Sequence, residues 1–308
     1  LRAKTATLEA CLTAATALTL LLVACGPGPV PDEPVGEAPP PGTRPADGLL
    51  AHAALQEVVD LQTARDGAAL RQLLDASEPS VRARAAFALG SVQDLEAGSG
   101  LASLLQDPEP AVRRDAAFAL GQLGDPTWGP ALLGALQDEA DLSVREKLLE
   151  ALGKAGDARV LESLLDLDVL PEEEGARNLA VSRMGLRGIT LPTGISFLVR
   201  ALNASTQDAR LHAAYYFGRN DTATPWTGSA ASVKAALDSL PPDDPVAMHL
   251  LLGISHLGDP TDNRRFLGWL TSSPDWRIRT NAAQAMVGRT GDPGVRSALM
   301  DVLEDPST

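Results

Sequence analysis

The chain has 308 residues, of which 44% are hydrophobic but only 4% aromatic, so its apolar content is mostly Ala and Leu, a balance that favours helices over sheets. A formal net charge of −14 with no compensating basic stripe excludes the electrostatic footprint of a nucleic-acid binder and reads first as solubility. Both cysteines, Cys11 and Cys25, fall in the first 25 residues, which leaves the remainder without a disulfide framework or a thiolate metal site.

In chain order, the first element is a targeting signal. "LRAKTATLEACLTAATALTLLLVACG" places Arg2 and Lys4 ahead of an apolar run from Ala10 to Ala24, too short for a comfortable membrane span. It ends in Leu22-Val23-Ala24-Cys25-Gly26, which resembles the lipobox of bacterial lipoproteins, where a small residue precedes an obligatory cysteine. The resemblance implies cleavage of residues 1–24 and lipidation of Cys25; an ordinary signal peptide with a chance cysteine is the alternative. Two or three acyl chains would anchor the protein stably, since each buried CH₂ contributes ~0.8 kcal/mol. Gly26, not Asp, follows the cysteine; by resemblance to Gram-negative sorting, that implies the cell envelope and an outer-membrane location facing the periplasm. Residues 25–47 then form a tether: "GPGPVPDEPVGEAPPPGTRPAD" holds eight prolines in 22 residues and admits neither helix nor ladder. At ~3.1 Å per residue it spans up to roughly 65 Å.

Residues 48–66 are expected to form an N-terminal capping helix. Beyond them an "ALG"-type glycine recurs at Gly90, Gly121, Gly153, Gly185, Gly218, Gly253 and Gly288, spaced by 31, 32, 32, 33, 35 and 35 residues. A period of this size marks a solenoid. Each period holds a short Leu-rich helical pattern ("GLASLLQD", "PALLGALQD", "RVLESLLDL", "ISFLVRAL", "RRFLGWL") and a second one running to the glycine. The pairs Gly124-Asp125-Pro126, Gly258-Asp259-Pro260 and Gly291-Asp292-Pro293 supply a helix stop, a cap and a first-turn proline. The motif "VR…AA.ALG..GD", carried by Val112-Arg113, Ala116-Ala117, Ala119-Leu120-Gly121 and Gly124-Asp125, resembles HEAT repeats of the short bacterial (PBS-lyase HEAT-like) form. The expected fold is therefore all-α: an α-solenoid of about seven HEAT-like helix–turn–helix repeats over 67–308. The likeness is strong over 85–157, clear at 278–292 and degenerate over 171–257.

Arginine stands eight residues before the glycine in five copies: Arg82, Arg113, Arg145, Arg177 and Arg210. In the family such an arginine pairs with an acidic residue in an inter-helix turn, which makes Asp107 and Asp138 the expected partners. Pro245 occupies this column in the sixth copy, and the last copy, "PGVRSALMDVLEDPST", matches a first helix without its second. The expectation is that the solenoid continues past Thr308.

No catalytic constellation emerges. The histidines His52, His212, His249 and His256 lack helical metal-ligand spacing, which argues against a di-iron relative of the repeat family, and no nucleophile elbow or phosphate loop is present. No metal, cofactor, small-molecule or nucleic-acid partner is expected. Columns five, two and one before the glycine (Ala85, Ala88 and Leu89 in the first copy) are the expected core. The column three before it reads Phe87, Phe118, Glu150, Ser182, Tyr215, Leu250, Ala285, and shares a helix face with Arg114 and its equivalents one turn earlier. In the family this column is solvent-facing and polar. Phe87, Phe118, Tyr215, Leu250 and Arg114 are therefore either ordinary packing or a groove for a protein partner or an appended domain. Two functions follow: a lipid-anchored, non-catalytic scaffold, or the targeting region of a longer lipoprotein enzyme. The "AAFALGQLGD" repeats resemble lipoproteins in which HEAT repeats precede a cyclophilin-type peptidyl-prolyl isomerase.

Overall fold

A computed structural model describes residues 53–304, leaving aside 190 and 223. Cys25, the signal segment and the Pro-rich stretch lie outside the described residues, as does most of the lead-in to the capping helix. Sixteen α-helices and no strand are found among the described residues. They are α1 (Ala53–Ala64), α2 (Gly67–Gln72), α3 (Pro79–Val92), α4 (Gly98–Leu104), α5 (Pro110–Leu123), α6 (Gly129–Asp138), α7 (Leu142–Ala155) and α8 (Ala158–Asp166). The second half holds α9 (Glu174–Leu186), α10 (Pro192–Ala201), α11 (Gln207–Arg219), α12 (Ala230–Asp238), α13 (Val246–Ser255), α14 (Asn263–Ser272), α15 (Trp276–Ala285) and α16 (Pro293–Glu304).

Local chemistry sets these boundaries. Pro79 and Pro110 open α3 and α5 in the first turn, where a missing N–H costs no helical hydrogen bond. Asp141 caps α7 by accepting from the amides of Ser143 and Val144. Gly124, at φ 67°, ends α5, and Asp125 at once caps the following turn by accepting from Thr127 N.

The glycines that define the period do something other than stop helices. Gly90 lies inside α3, which ends two residues later at Val92, with Gln93 taking the left-handed conformation. A Cβ on Gly90 would stand 2.7 Å from Ala119 Cα, one on Gly121 2.9 Å from Ala151 Cα, and one on Gly153 2.7 Å from Ala180 Cα. The period is thus the footprint of near backbone-to-backbone contact between successive long helices. Helices α3, α5, α7, α9, α11, α13 and α15 form one layer, each packed on the next, while the short helices of the other layer meet one another far less. One closely spaced layer and one loosely spaced layer curve a stack with the close layer inside. The core runs between the layers: Ala85, Ala88 and Leu89 are fully buried, as are Ala116, Ala119 and Leu120.

Successive repeats are also joined by ion pairs. Arg82 forks onto Asp107 (Nε–Oδ2 2.8 Å, Nη2–Oδ1 3.0 Å), and its Nη1 donates to the Ala76 carbonyl at 2.8 Å. Arg113 makes the same fork, but onto Glu139 (2.7 and 2.9 Å). Asp138, the partner expected from sequence, is the exposed last residue of α6, whereas Glu139 sits in the turn and also accepts from Asp141 N. Arg145 pairs with Glu173, which is wholly buried, and Arg210 touches Asp244 through one contact of 3.2 Å. Arg177 is the exception: its Nη1 donates to the Leu167 carbonyl at 2.7 Å, its Nε is buried without a hydrogen-bond acceptor, and it lies 4.9 Å over the Phe197 ring. Burial accordingly pulls its pKa below the ordinary arginine value, against the opposing pull of Glu174, Asp168 and Glu173. In the sixth repeat Pro245 removes the arginine, and Ser273 stands where the next turn would offer it an acid. Arg279 resumes the pattern, with Nη1 on the carbonyls of Ser273 and Pro274.

Candidate binding face

The inner helices α3 and α5 bring Phe87 and Phe118 together. Because Gly90 lets α5 approach to the limit set by Ala119, the two rings, one repeat apart in sequence, stack with centroids 4.8 Å apart and planes 9° apart. Phe87 stays 37% exposed; Phe118 is half-buried beneath it. Such a pair adds about 0.5–1.5 kcal/mol beyond its buried area, so the stack is self-supporting while leaving apolar ring edge in solvent.

Cations surround the pair. Arg84 Cζ lies 5.2 Å from the Phe87 centroid, and the ammonium groups of Lys147 and Lys154 lie 5.9 and 5.8 Å from that of Phe118. Both lysines hold Glu150, at 2.5 and 2.6 Å. Burial works against ionised Glu150, but the two lysine hydrogen bonds outweigh it and lower its pKa to about 2. Arg114 is exposed and paired with Asp115 at 3.0 Å. Arg84 is bonded through Nη2 to Gln62 Oε1, a neutral acceptor, and its Nη1 is buried without one. Burial pulls its pKa below the ordinary arginine value, partly offset by Asp115.

The remaining residues of the expected face behave differently. Tyr215 on α11 is half-buried, edge-on to His249 of α13 at 5.6 Å and 83°, with exposed Arg219 5.6 Å from its ring. Burial lowers the His249 pKa, with the charges of Arg219 and His212 adding to the effect. Leu250 does not belong to an exposed column: it is fully buried, as is Val246 one turn earlier at 1%. Pro245 delays the start of α13, and Gly218 then meets His249, four residues before Gly253, instead of a residue two before it. The helix is rotated, so Met248, His249 and Leu252 take the partly exposed positions. Asn178 and Ser182 of α9 are likewise buried, donating to the Ala209 carbonyl at 3.0 Å and the His212 carbonyl at 2.8 Å.

Among the described residues no group of His, Cys, Asp and Glu could hold a metal ion, and no helix is long and apolar enough to cross a membrane. His249 and His256 do not form one site: His249 packs on Tyr215, while His256 follows the end of α13 and contacts the Asn220 carbonyl through Nδ1 at 3.0 Å.

A family model of HEAT repeats matches residues 67–141 and, overlapping, 98–185. Residues 67–185 are HEAT repeats. The match covers α2 to α9, including the stacked phenylalanines and the ion pairs of Arg82, Arg113 and Arg145. No curated protein matches this chain in sequence. Among solved structures it is similar to the CpcE–CpcF complex of phycocyanin lyase from Nostoc sp. PCC7120, at 20% identity over 85% of this chain and 99% of that one, with a TM-score of 0.42. It is also similar to human deoxyhypusine hydroxylase in complex with glycerol (20% identity, 80% and 100% coverage, TM-score 0.33). A designed armadillo repeat protein gives 18% identity, 70% and 97% coverage and a TM-score of 0.36.

Proposed function

We propose that this HEAT solenoid is a non-catalytic scaffold, held at the cell envelope by a lipid on Cys25, that binds a protein partner along its inner helix layer. The observation that carries the reading is the Phe87–Phe118 stack. In a layer where close packing demands Gly and Ala, two large aromatic rings occur on the face turned away from the core, with Phe87 37% exposed. Neither ring is needed to fill the space between layers, which Ala85, Ala88 and Leu89 already close. An exposed stacked pair ringed by cations has the composition of an interface anchor, in which aromatic residues and arginine are enriched.

Phe87→Glu separates binding from packing. Its expected result is loss of partner capture with a melting temperature lowered by only a few degrees, the share of the lost ring stack. A large drop in melting temperature would assign the ring to packing instead. Anchoring is tested separately: Cys25→Ser should abolish palmitate labelling in cells, and persistent labelling would defeat the lipoprotein reading.

A further inference from the structure

The charges around the stack do not balance, and their imbalance describes the occupant. Arg114 is matched by Asp115, and Glu150 sits between Lys147 and Lys154. That trio retains one positive charge, which exposed Glu146, one turn earlier on the same face of α7, offsets, so the excess rests on Arg84. Arg84 has no carboxylate within ion-pair distance among the described residues: Asp115, held by Arg114, acts on it only from farther away, its hydrogen-bond partner is neutral Gln62, and Nη1 is buried without an acceptor. A guanidinium so placed makes charge-assisted hydrogen bonds to a carboxylate, the strongest it can form. The unmatched cation stands 5.2 Å from the centroid of Phe87, the partly exposed ring. This local excess of positive charge belongs to a chain of net charge −14, so it does not follow from overall composition.

We infer that the inner helix face around Phe87 takes an acidic linear peptide segment of a partner protein, in which a prolyl or aromatic ring packs on the Phe87 edge and an adjacent carboxylate accepts from Arg84. This rests on the reading of the inner face as a binding surface and adds the chemistry of what is bound. A ring next to an extended backbone loses little entropy on docking against aromatics. The carboxylate gives direction, because Arg84 flanks the stack on the α3 side and the lysines flank it on the α7 side.

The test uses fluorescein-labelled peptides of sequence EEPFEE, QQPFQQ and EEGAEE, titrated by anisotropy with the chain and with Arg84→Met and Phe87→Ala. EEPFEE should bind at least about tenfold more tightly than either counterpart, the size of one charge-assisted hydrogen bond. Arg84→Met should erase its preference over QQPFQQ, and raising salt from about 50 to 300 mM should shrink it. Because Arg84 also anchors Gln62 of α1, the variant's melting temperature and circular dichroism are measured alongside; Arg84→Lys, which keeps the charge, should retain part of the preference. Equal binding of QQPFQQ and EEPFEE overturns the acidic class. If Phe87→Ala then still abolishes both, the binding face survives without it. Equal binding of EEGAEE removes the ring, and no binding of any peptide overturns the inference altogether.

Discussion

Residues 79–157 and 171–257 have the same helix–turn–helix plan but hold it together differently. In the first region each period glycine meets an alanine Cα of the next inner helix, and each arginine forks onto a carboxylate in the next turn. In the second, Gly185 abuts the Tyr216 ring and Gly218 abuts His249. Arg177 lacks a carboxylate, and Asn178 and Ser182 bridge to the next helix by hydrogen bonds to its backbone. Regular packing therefore coincides with an exposed aromatic stack, while irregular packing coincides with polar groups drawn into the contact. A face can carry large exposed side chains only where small residues beneath them already satisfy the packing.

The sharpest way to break this comparison is to remove a ladder carboxylate from each region. Glu173 is fully buried against Arg145, so Glu173→Ala strands a buried cation and should cost about 3–5 kcal/mol in denaturant unfolding. Asp244→Ala removes a single 3.2 Å contact to Arg210 together with the bond that Asp244 Oδ1 accepts from Val246 N at 3.0 Å, and its effect should be smaller, about 1–2 kcal/mol. Equal losses would show that the two kinds of connection contribute alike.

Glycine substitutions come next. Gly121→Ala forces a Cβ to within 2.9 Å of Ala151 Cα and should cost about 1–3 kcal/mol through separation of α5 and α7. Gly134→Ala places its Cβ on α6 with nothing within 4 Å, and should stabilise by up to about 1 kcal/mol through helix propensity. A stable Gly121→Ala protein would mean that the period glycines are not contact residues.

A gain is predicted for the ladder gap. Arg82 and Arg113 take their acids from the residue six before the next arginine, Asp107 and Glu139. The equivalent residue for Arg177 is Ala204, whose carbonyl already accepts from Arg210 Nη1 at 3.1 Å. Ala204→Asp should pair with Arg177, relieve its acceptor-free Nε and raise stability by about 1 kcal/mol. The increment should vanish in an Arg177→Met background; if it remains, the new aspartate acts only as a turn cap.

How much of this was legible in sequence follows from the same contrast. Gly90, Gly121 and Gly153 recur because backbones touch there, so the repeat and its core columns could be read directly, although the glycines looked like helix stops. The Phe87–Phe118 pair was visible as a breach of the pattern, and its stacking follows from the 31-residue spacing once the helices are side by side. Leu250 was misplaced because α13 is rotated: Gly253 meets the Phe217 backbone of the preceding α11, where Gly218 in turn meets His249, and no glycine spacing reports a rotation. Glu173 was hidden for another reason. In the run Pro171–Gly175 any of three carboxylates suits a helix start, and only the fold selects the one that turns inward to Arg145.

The smallest expected effect is a pH dependence, and it sharpens the comparison by locating it. Glu150, with a pKa lowered to about 2 from the ordinary 4.5, binds a proton less readily in the folded chain than in the unfolded one. Its contribution is therefore complete above about pH 4.5 and is lost as pH falls towards 2. Glu139, Asp107 and Glu173 act in the same direction: the hydrogen bond from Arg113 leads at Glu139, while at Asp107 and Glu173 burial raises the pKa but the arginine bonds, backbone amides and nearby charges together outweigh it and lower it. Glu150 lies on α7, and the other three sit in the turns that lead into α5, α7 and α9. Hydrogen exchange at pH 3 should accordingly show α5 and α7 losing protection relative to pH 6, and Glu150→Gln should flatten part of that change beside Phe118 while leaving the ladder's share intact. Unchanged protection in α5 and α7 would mean that these carboxylates add nothing to the stability of the regular repeats, and that the Gly–Ala contacts carry it alone.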